Sequence, residues 1–512
     1  MQQGRLPLIL VAPHGGTRNV LTRSWQLGTL RVNDLHTADF TIALAAATGA
    51  AALINRELDR NVVDLNSITA AHDGAPGFLA ALADLVEEAV RLHGRATVLT
   101  IHGWNIVEPA VDIGIGTSTT LAASAAAARP TVSASFATDV VAALVDDCTR
   151  NGIAATVGAR YPARARENLI QLFTARHAAD TRPLVRRLVA LHERVDALQL
   201  ELAIPLRFPG RWRERMLATL TRLAALLVAP HEHRPTPPRP AAPSDRPSRH
   251  RIEFVSGPVA GLLQLGPEGG RVLLIPDDGN LLLFTAETAR ARRDARLTWI
   301  VDSDGTLRIQ HTGPLLRFAD TSPFTALERG LASATVVDAE FEFAISPTTR
   351  GGGFCAVLGS AVLGGQRVAV RGSGFVREPR PASRAPHLEL AVTLSTERGL
   401  LARIAECGAG PQAEIVSRGN RVPLEAVQVH QTATDNPLDR VTITARQPNG
   451  DAFEVTARGL HRIPISRVGA DGGVLHTLLA TVRLDSGTAP AGWATAATLT
   501  AGSPEPDGYS PP

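Results

Sequence analysis

Two histidines stand at the ends of apolar runs in this chain of 512 residues: His14 in LILVAPHGG and His102 in VLTIHGWN. A strand that ends in a polar residue and then turns delivers that side chain to the crevice beyond the carboxyl edge of an α/β sheet, where ligands bind. If the two strands are neighbours, both imidazoles can converge on one cation. A catalytic zinc site asks for about three protein ligands and an open position for water. The glycines after His14 allow close backbone approach and positive φ. Alone, each histidine reads more simply as a hydrogen-bonded structural residue, but two further segments shift the balance. LDRNVVDLNS offers Arg60, Asn61, Asp64 and Asn66 beside a strand. QLELAIPLR carries Glu201 between leucines, where burial of a lone carboxylate raises its pKa toward that of a general acid or base. Asn61, Asp64 and Asn66 read equally well as turn residues making local backbone bonds.

The elements that must position these residues show in the hydrophobic pattern. Strand-like runs (LPLILVA, AALINREL, ATVLTIH, IAATVGA) alternate with Ala- and Leu-rich helical stretches such as FTIALAAATGA and GFLAALADLVEEAVRLHG. This order predicts an α/β domain over 1–228 with a mostly parallel mixed sheet, hydrolase-like in its layering. The segment 229–250, APHEHRPTPPRPAAPSDRPSRH, reads as a stiff, solvated linker. Beyond it, short β-rich runs are punctuated by DDGN, DSDG, QPNG and DGG, which are hairpin turns. The expectation for 251–501 is an all-β domain, one sandwich or two small barrels, and a barrel with a cavity would take an apolar ligand. The tail 502–512 has breaker residues and no apolar pattern, and is expected to fray.

Composition narrows the function classes. With 44% hydrophobic and 20% charged residues the chain has the makeup of a globular protein, long enough for two or three domains. A net charge of only +3 gives little reason to expect nucleic acid as a partner. Every basic residue is Arg, which excludes Schiff-base and P-loop lysine chemistry. Cys148, Cys355 and Cys407 form no CxxC spacing, which suits a reducing compartment. The first apolar run is too short for a secretory segment and no stretch is long enough for a membrane span, so the expected location is the cytoplasm. His231 and His233 lie in the Pro-rich linker, which cannot preorganise ligands. Gly114-Ile115-Gly116 lacks the context of a dinucleotide fingerprint, and RARRDAR (Arg290 to Arg296) reads as a solvated basic strip.

The order PHGG, RNVVDLN, TIHGW, VDIGIGT, QLEL, spanning Leu8 to Arg207, resembles the N-formylglutamate amidohydrolase family. That family's pattern has PHSG, an SRxVxDLNR segment, a DLHS segment and a late Q-x-E, and its fold is similar to that of the zinc carboxypeptidases. The resemblance implies a hydrolase acting with zinc or another divalent metal on the amide of an N-acylated (N-formyl or similar) or γ-linked amino acid or peptide. It implies His14 and His102 as metal ligands, with a third, carboxylate ligand near the start of the following helix. Asp34 in NDLHTADFTIALAAATG is the choice and Asp39 the rival. Glu201 becomes the acid/base, Arg60 the bidentate partner of a substrate carboxylate, and Asn61 and Asn66 its substrate-binding neighbours. Three departures stand out: the HxxE spacing of the carboxypeptidases is absent because Thr17 occupies the third position after His14, the family's Ser-Arg is Asp59-Arg60, and the Arg of DLNR is Ser67. The rival reading is a binding protein with a degenerate hydrolase site. In the second half, GPLLRF, FEFAIS, the Gly-rich stretch around Phe354 and GWATAA faintly resemble paired lipocalin-like barrels of the carotenoid hydratase group.

Overall fold

The computed structural model describes residues 1–16, 33–117, 130–228 and 249–500. Within the last range, 267–268, 278, 287–295, 320–330, 348–352, 364, 378–386, 396–397, 406–409, 418–419, 432–437, 469–473 and 486–489 lie outside the description. Two compact units divide the described residues, one up to 228 and one from 249. The expected linker histidines, Cys407, the strip 290–295 and the tail from 501 lie outside the described residues. His250, assigned above to the linker, opens the first strand of the second unit.

The first unit is a six-stranded mixed sheet. Its strands are β1 (Leu8–Ala12), β2 (Ala51–Ile54), β3 (Ala96–Trp104), β4 (Ala110–Gly114), β5 (Ala154–Val157) and β6 (Val195–Ala203). They lie in the order β2-β1-β3-β6-β4-β5. β2, β1, β3 and β6 run parallel, and β4 reverses against β6 and pairs parallel with β5. β1, β3 and β6 read as near-continuous apolar runs because all three are buried almost throughout, the signature of a sheet covered on both faces. The long helix α3 (Pro76–His93) shows how the sequence builds that cover. Proline starts it, Leu79, Leu82, Ala83, Val86, Ala89 and Val90 recur at helical spacing on its buried face, and Gly94 ends it at φ 77°. Helix α1 (Thr37–Thr48) likewise ends at Gly49; α2 (Ile68–Gly74) begins at Ser67, whose Oγ accepts the Ala70 N–H. Ser67 therefore serves as a helix cap where the resembled family has Arg.

The second unit is all β. Its first sheet comprises β7 (His250–Ser256), β8 (Val259–Gly266), β9 (Gly269–Pro276), β10 (Leu281–Ala286), β11 (Leu297–Val301), β12 (Leu307–Phe318), β13 (Thr335–Pro347), β14 (Gly353–Leu363) and β15 (Gln366–Arg377). Antiparallel pairing runs β10-β9-β8-β7-β15-β14-β13-β12, and Leu281–Leu283 of β10 pair with Leu316–Phe318 of β12 to close a barrel; β11 pairs with the other half of the same edge. Along β12, Leu307, Ile309 and His311 are buried and Arg308, Gln310 and Thr312 exposed, the two-residue period of a barrel wall. The second sheet is β19-β18-β17-β16-β24-β23-β22-β21-β20, from β16 (His387–Ser395), β17 (Arg398–Ala405), β18 (Gln412–Ser417), β19 (Asn420–Pro423), β20 (Glu425–Gln431), β21 (Val441–Arg446), β22 (Ala452–Val468), β23 (Val474–Leu484) and β24 (Gly492–Thr500). Phe354 and Phe375 of the first sheet pack with Ala391 and Val416 of the second. The Trp493 indole N–H donates to the Phe254 carbonyl at 3.2 Å. Of the two expected forms, barrels are the one adopted.

Cys148 and Cys355 are buried free thiols, pushed up to about 12 by burial, which leaves them unreactive. Among the described residues, no helix is long and apolar enough to cross a membrane.

Candidate metal centre

The strand order decides the site. β3 lies between β1 and β6, and parallel register sets His102 opposite Glu201. His14 follows β1 by two residues, and the Asp34 N–H donates to its carbonyl at 2.9 Å, which folds the incoming turn back onto the strand end. Thr37 then bonds the Asp34 carbonyl through N–H (3.1 Å) and Oγ (2.6 Å), fastening that turn to the start of α1. Gly15 and Gly16 serve close approach and not positive φ: a Cβ on Gly15 would lie 2.7 Å from Ala38 Cβ, and one on Gly16 2.2 Å from the Leu58 carbonyl oxygen.

His14, Asp34 and His102 are all buried. Asp34 Oδ2 lies 3.2 Å from His14 Nδ1 and 3.3 Å from His102 Nδ1, and the two rings meet edge to face at 4.9 Å. The far nitrogen of His14, Nε2, is 2.7 Å from Asp64 Oδ1. Both ring nitrogens of His14 thus face carboxylate oxygens, and since a neutral imidazole carries one proton, one of them then turns a lone pair toward a carboxylate oxygen. Two lone pairs at this distance repel unless a proton or a cation lies between them. Two imidazole nitrogens and one carboxylate oxygen, with ligand atoms within 4.8 Å of one another, are the donor set of a zinc-type ion. The residues present fit such an ion, and the Asp64 contact supplies the outer-shell carboxylate that commonly orients a ligating imidazole. Among the described residues the buried Nε2 of His102 has no hydrogen-bond partner, so within them this second ring lacks a matching brace.

The electrostatics divide the groups. Burial pulls the His14 pKa down, but its bonds to Asp34 and Asp64 outweigh this and raise it. His102, with burial dominant, falls to about 4. Asp34 resists burial through its contacts with His102 and His14 and is held well below the usual carboxylate range. Asp64, also against burial, is held at about 2 by its bond to His14. Glu201 moves the other way: burial first, and the negative charge of Asp34 second, push it to about 8. Gln199 donates to Glu201 Oε1 at 2.8 Å and accepts from Asn168 Nδ2 at 2.9 Å, a short chain that fixes the carboxyl group.

Of the remaining residues expected at the site, Arg60 is present but turned to Asp34, its Nη1 donating to Oδ1 at 3.1 Å. Asn61 donates through both its backbone N–H and its Nδ2 to Asp59 Oδ1, each at 2.8 Å, and the Asn66 N–H donates to Asp64 Oδ1 at 3.0 Å. Both asparagines thus take part in local turn bonding, which the sequence admits equally with a place at the site. Asp39, the rival ligand, has a side chain 68% exposed and lies outside the cluster. Two further residues belong here. Asp64, which the sequence offers as a polar residue beside a strand and equally as a turn residue, is joined to the site by its contact with His14, a role its place in the DLN segment could have signalled. Arg207 had no signal beyond its position after an apolar run. Its guanidinium is buried, lowered to about 10 by that burial, and donates to the carbonyls of Leu202 (3.2 Å) and Leu35 and to Asn105 Oδ1 (2.6 Å).

These features define an α/β unit with a buried His–Asp–His cluster, followed by an all-β unit of two barrel-shaped sheets. No family model matches the chain, and no curated protein does. Solved structures do match: the chain is similar to N-formylglutamate amidohydrolase from Ralstonia eutropha JMP134 (17% identity, 44% of this chain and 92% of that one, TM-score 0.29). It is also similar to a gene product from Agrobacterium tumefaciens (14%, 44% and 91%, 0.30) and to kievitone hydratase from Nectria haematococca (12%, 49% and 88%, 0.23). Each match covers less than half of this chain.

Proposed function

We propose that the first unit, 1–228, is a metal-dependent amidohydrolase that cleaves the amide of an N-acylated or γ-linked amino acid, with zinc or another divalent ion held by His14, Asp34 and His102. The observation that carries this reading is one carboxylate oxygen of Asp34 facing two imidazole Nδ1 atoms, with Glu201 in register beside His102. A divalent ion bound there would polarise the scissile carbonyl and acidify the attacking water. Glu201, held beside the cluster, is the group that would take the proton from that water and return it to the leaving amine. Gln199 keeps the Glu201 carboxyl aimed, and Asp64, 2.7 Å from Nε2, orients the His14 ring; with Nδ1 given to the ion, Nε2 would carry the proton toward Asp64. Arg60, which pairs with Asp34, is assigned to the substrate carboxylate, with Asn61 and Asn66 shaping the same loop. The substrate class rests on the motif order from Leu8 to Arg207. The buried free thiols suit a reducing compartment, and the cytoplasm is the proposed location.

For the second unit, we read the first barrel as the binder of an apolar ligand. His311 points inward between Phe284 (4.6 Å) and Phe341 (5.0 Å), and among the described residues its ring nitrogens meet only loosely placed backbone carbonyls, with no well-formed hydrogen bond. This reading leaves the catalytic one unchanged.

The test of the metal reading is elemental analysis of the purified wild-type protein beside His14→Ala. About one zinc-type ion per chain, lost in the variant, is expected. Absence of specifically bound metal from non-chelated wild-type protein would move the reading to a degenerate binding domain.

A further inference from the structure

We propose that Arg207 is a positioning residue, which clamps the turn bearing Asp34 onto the ends of β3 and β6 and so sets the affinity and geometry of the cation site. The inference rests on the reading of His14, Asp34 and His102 as ligands, and adds a residue that makes no contact with the ion.

Three independent features place Arg207 in this role. Its hydrogen bonds join three parts of the chain. Nη1 reaches the Leu35 carbonyl in the Asp34 turn, Nη2 reaches Asn105 just past β3, and Nε reaches the Leu202 carbonyl near the end of β6. All three hydrogen-bond acceptors are neutral oxygens, so the bonds of the buried guanidinium fix backbone and amide geometry, while the nearby charges of Asp34 and Glu201 offset part of the cost of burying it. Next, β3 makes room for it. A Cβ built on Gly103 would lie 2.9 Å from Arg207 Cζ and 3.1 Å from Asp34 Cβ. The glycine after His102 is what lets the guanidinium and Asp34 sit together against the strand.

The third feature is strain in the clamped turn. His36, the N-cap of α1, takes φ 65° and ψ 0°, with no side-chain cap bond. A non-glycine residue in that left-handed conformation persists only where its surroundings hold it. Arg207 holds the carbonyl of the preceding residue, Leu35, and Phe208 packs its ring on His36 at 4.3 Å. Relaxation of this turn would carry Asp34 away from the two imidazoles, because Asp34 lies two residues before His36 and its carbonyl anchors the start of the helix.

The experiment uses the full chain with Arg207→Lys and Arg207→Met. Zinc affinity is measured by competition with a chromophoric chelator, and the visible spectrum of the cobalt(II)-loaded protein reports ligand geometry. Zinc binding at least about tenfold weaker, the size expected for an outer-shell change, together with an altered cobalt spectrum and native far-ultraviolet circular dichroism, supports the clamp. A lower melting temperature with unchanged affinity and cobalt spectrum makes Arg207 merely structural and overturns the proposal. Arg207→Lys keeps the charge and carries the test if Arg207→Met fails to fold. A wild-type protein that binds neither zinc nor cobalt sinks the metal reading itself, an outcome separate from equal binding by wild type and variants.

Discussion

Replacement of Glu201 by Gln should change two properties at once: the rate, and the way stability depends on pH. In the folded protein Glu201 is buried and its pKa is pushed from the ordinary 4.5 to about 8. The folded state therefore keeps a proton that the unfolded state has released between those two values. Since the folded pKa is the higher one, this group's contribution is fully present below pH 4.5 and is lost as pH rises through about 8. At about 1.36 kcal/mol per pH unit, the gap corresponds to ~5 kcal/mol as an upper limit, because part of it is shared with the neighbouring charges of Asp34 and His14. Gln is neutral at every pH and still accepts from Gln199. The assay is urea unfolding of chelator-treated wild type and Glu201→Gln at pH 5, 7 and 9, reading the transition of the α/β unit. The variant should gain on wild type steadily across that window by several kcal/mol. With metal restored, it should keep stoichiometric ion and lose turnover by about 10²–10⁴-fold, the usual reach of general acid–base catalysis. Parallel stability profiles and an unaffected rate would together refute the raised pKa and the catalytic role.

Asp64→Asn removes the carboxylate behind His14, 2.7 Å from Nε2. Zinc affinity measured by chelator competition should fall by roughly 10–100-fold, and equal affinity would mean that the Asp64 contact does not govern the ligand. In the barrel unit, burial holds His311 at about 4 against an ordinary 6.5, with the nearby carbonyls of Gly313, Pro314 and Arg296 offsetting only part of that cost. Its folded pKa is the lower one, so stability present above pH 6.5 is lost as pH falls toward about 4, a swing of ~3 kcal/mol. His311→Leu should flatten the acid limb of the barrel unit's unfolding curve. An unchanged limb would show that His311 is not the titrating group.

Much of the architecture was legible before any coordinates because it depends on local pattern. LILVA and ATVLTIH are apolar throughout and become the buried strands β1 and β3, while the spacing of Leu79, Leu82, Ala83 and Val86 could serve only a helix. Glu201 could be singled out because a carboxylate in an apolar strand is costly wherever that strand is buried. The turn sequences of the second half, from DDGN to QPNG, announced hairpins but not their closure. That closure is the pairing of Leu281–Leu283 with Leu316–Phe318, a contact between strands separated by a further strand and its loops. Sandwich and barrel remain equivalent until such a pairing is known.

The site itself divides along the same line. Residue types and strand-end positions nominated His14, His102 and Glu201 from sequence, because each reports only on its own segment. Their convergence is a property of strand order, β1 beside β3 beside β6, and local pattern does not specify order. Asp34 and Asp39 are aspartates five residues apart, and the pattern does not separate them. The fold places Asp34 beside the two histidines because its backbone bonds to His14, while helix α1 turns Asp39 to solvent. Asp64 was visible as a turn residue and does accept from Asn66, yet its contact with His14 spans fifty residues of chain. Arg207 carried no signal beyond its place after an apolar run, since its buried guanidinium is satisfied by oxygens that three separate segments bring to it. Sequence alone thus determined which segments bury and which residues are out of place in them; only the tertiary structure decided which of those residues meet, because hydrogen bonds and ion pairs between distant segments depend on packing that no single segment encodes.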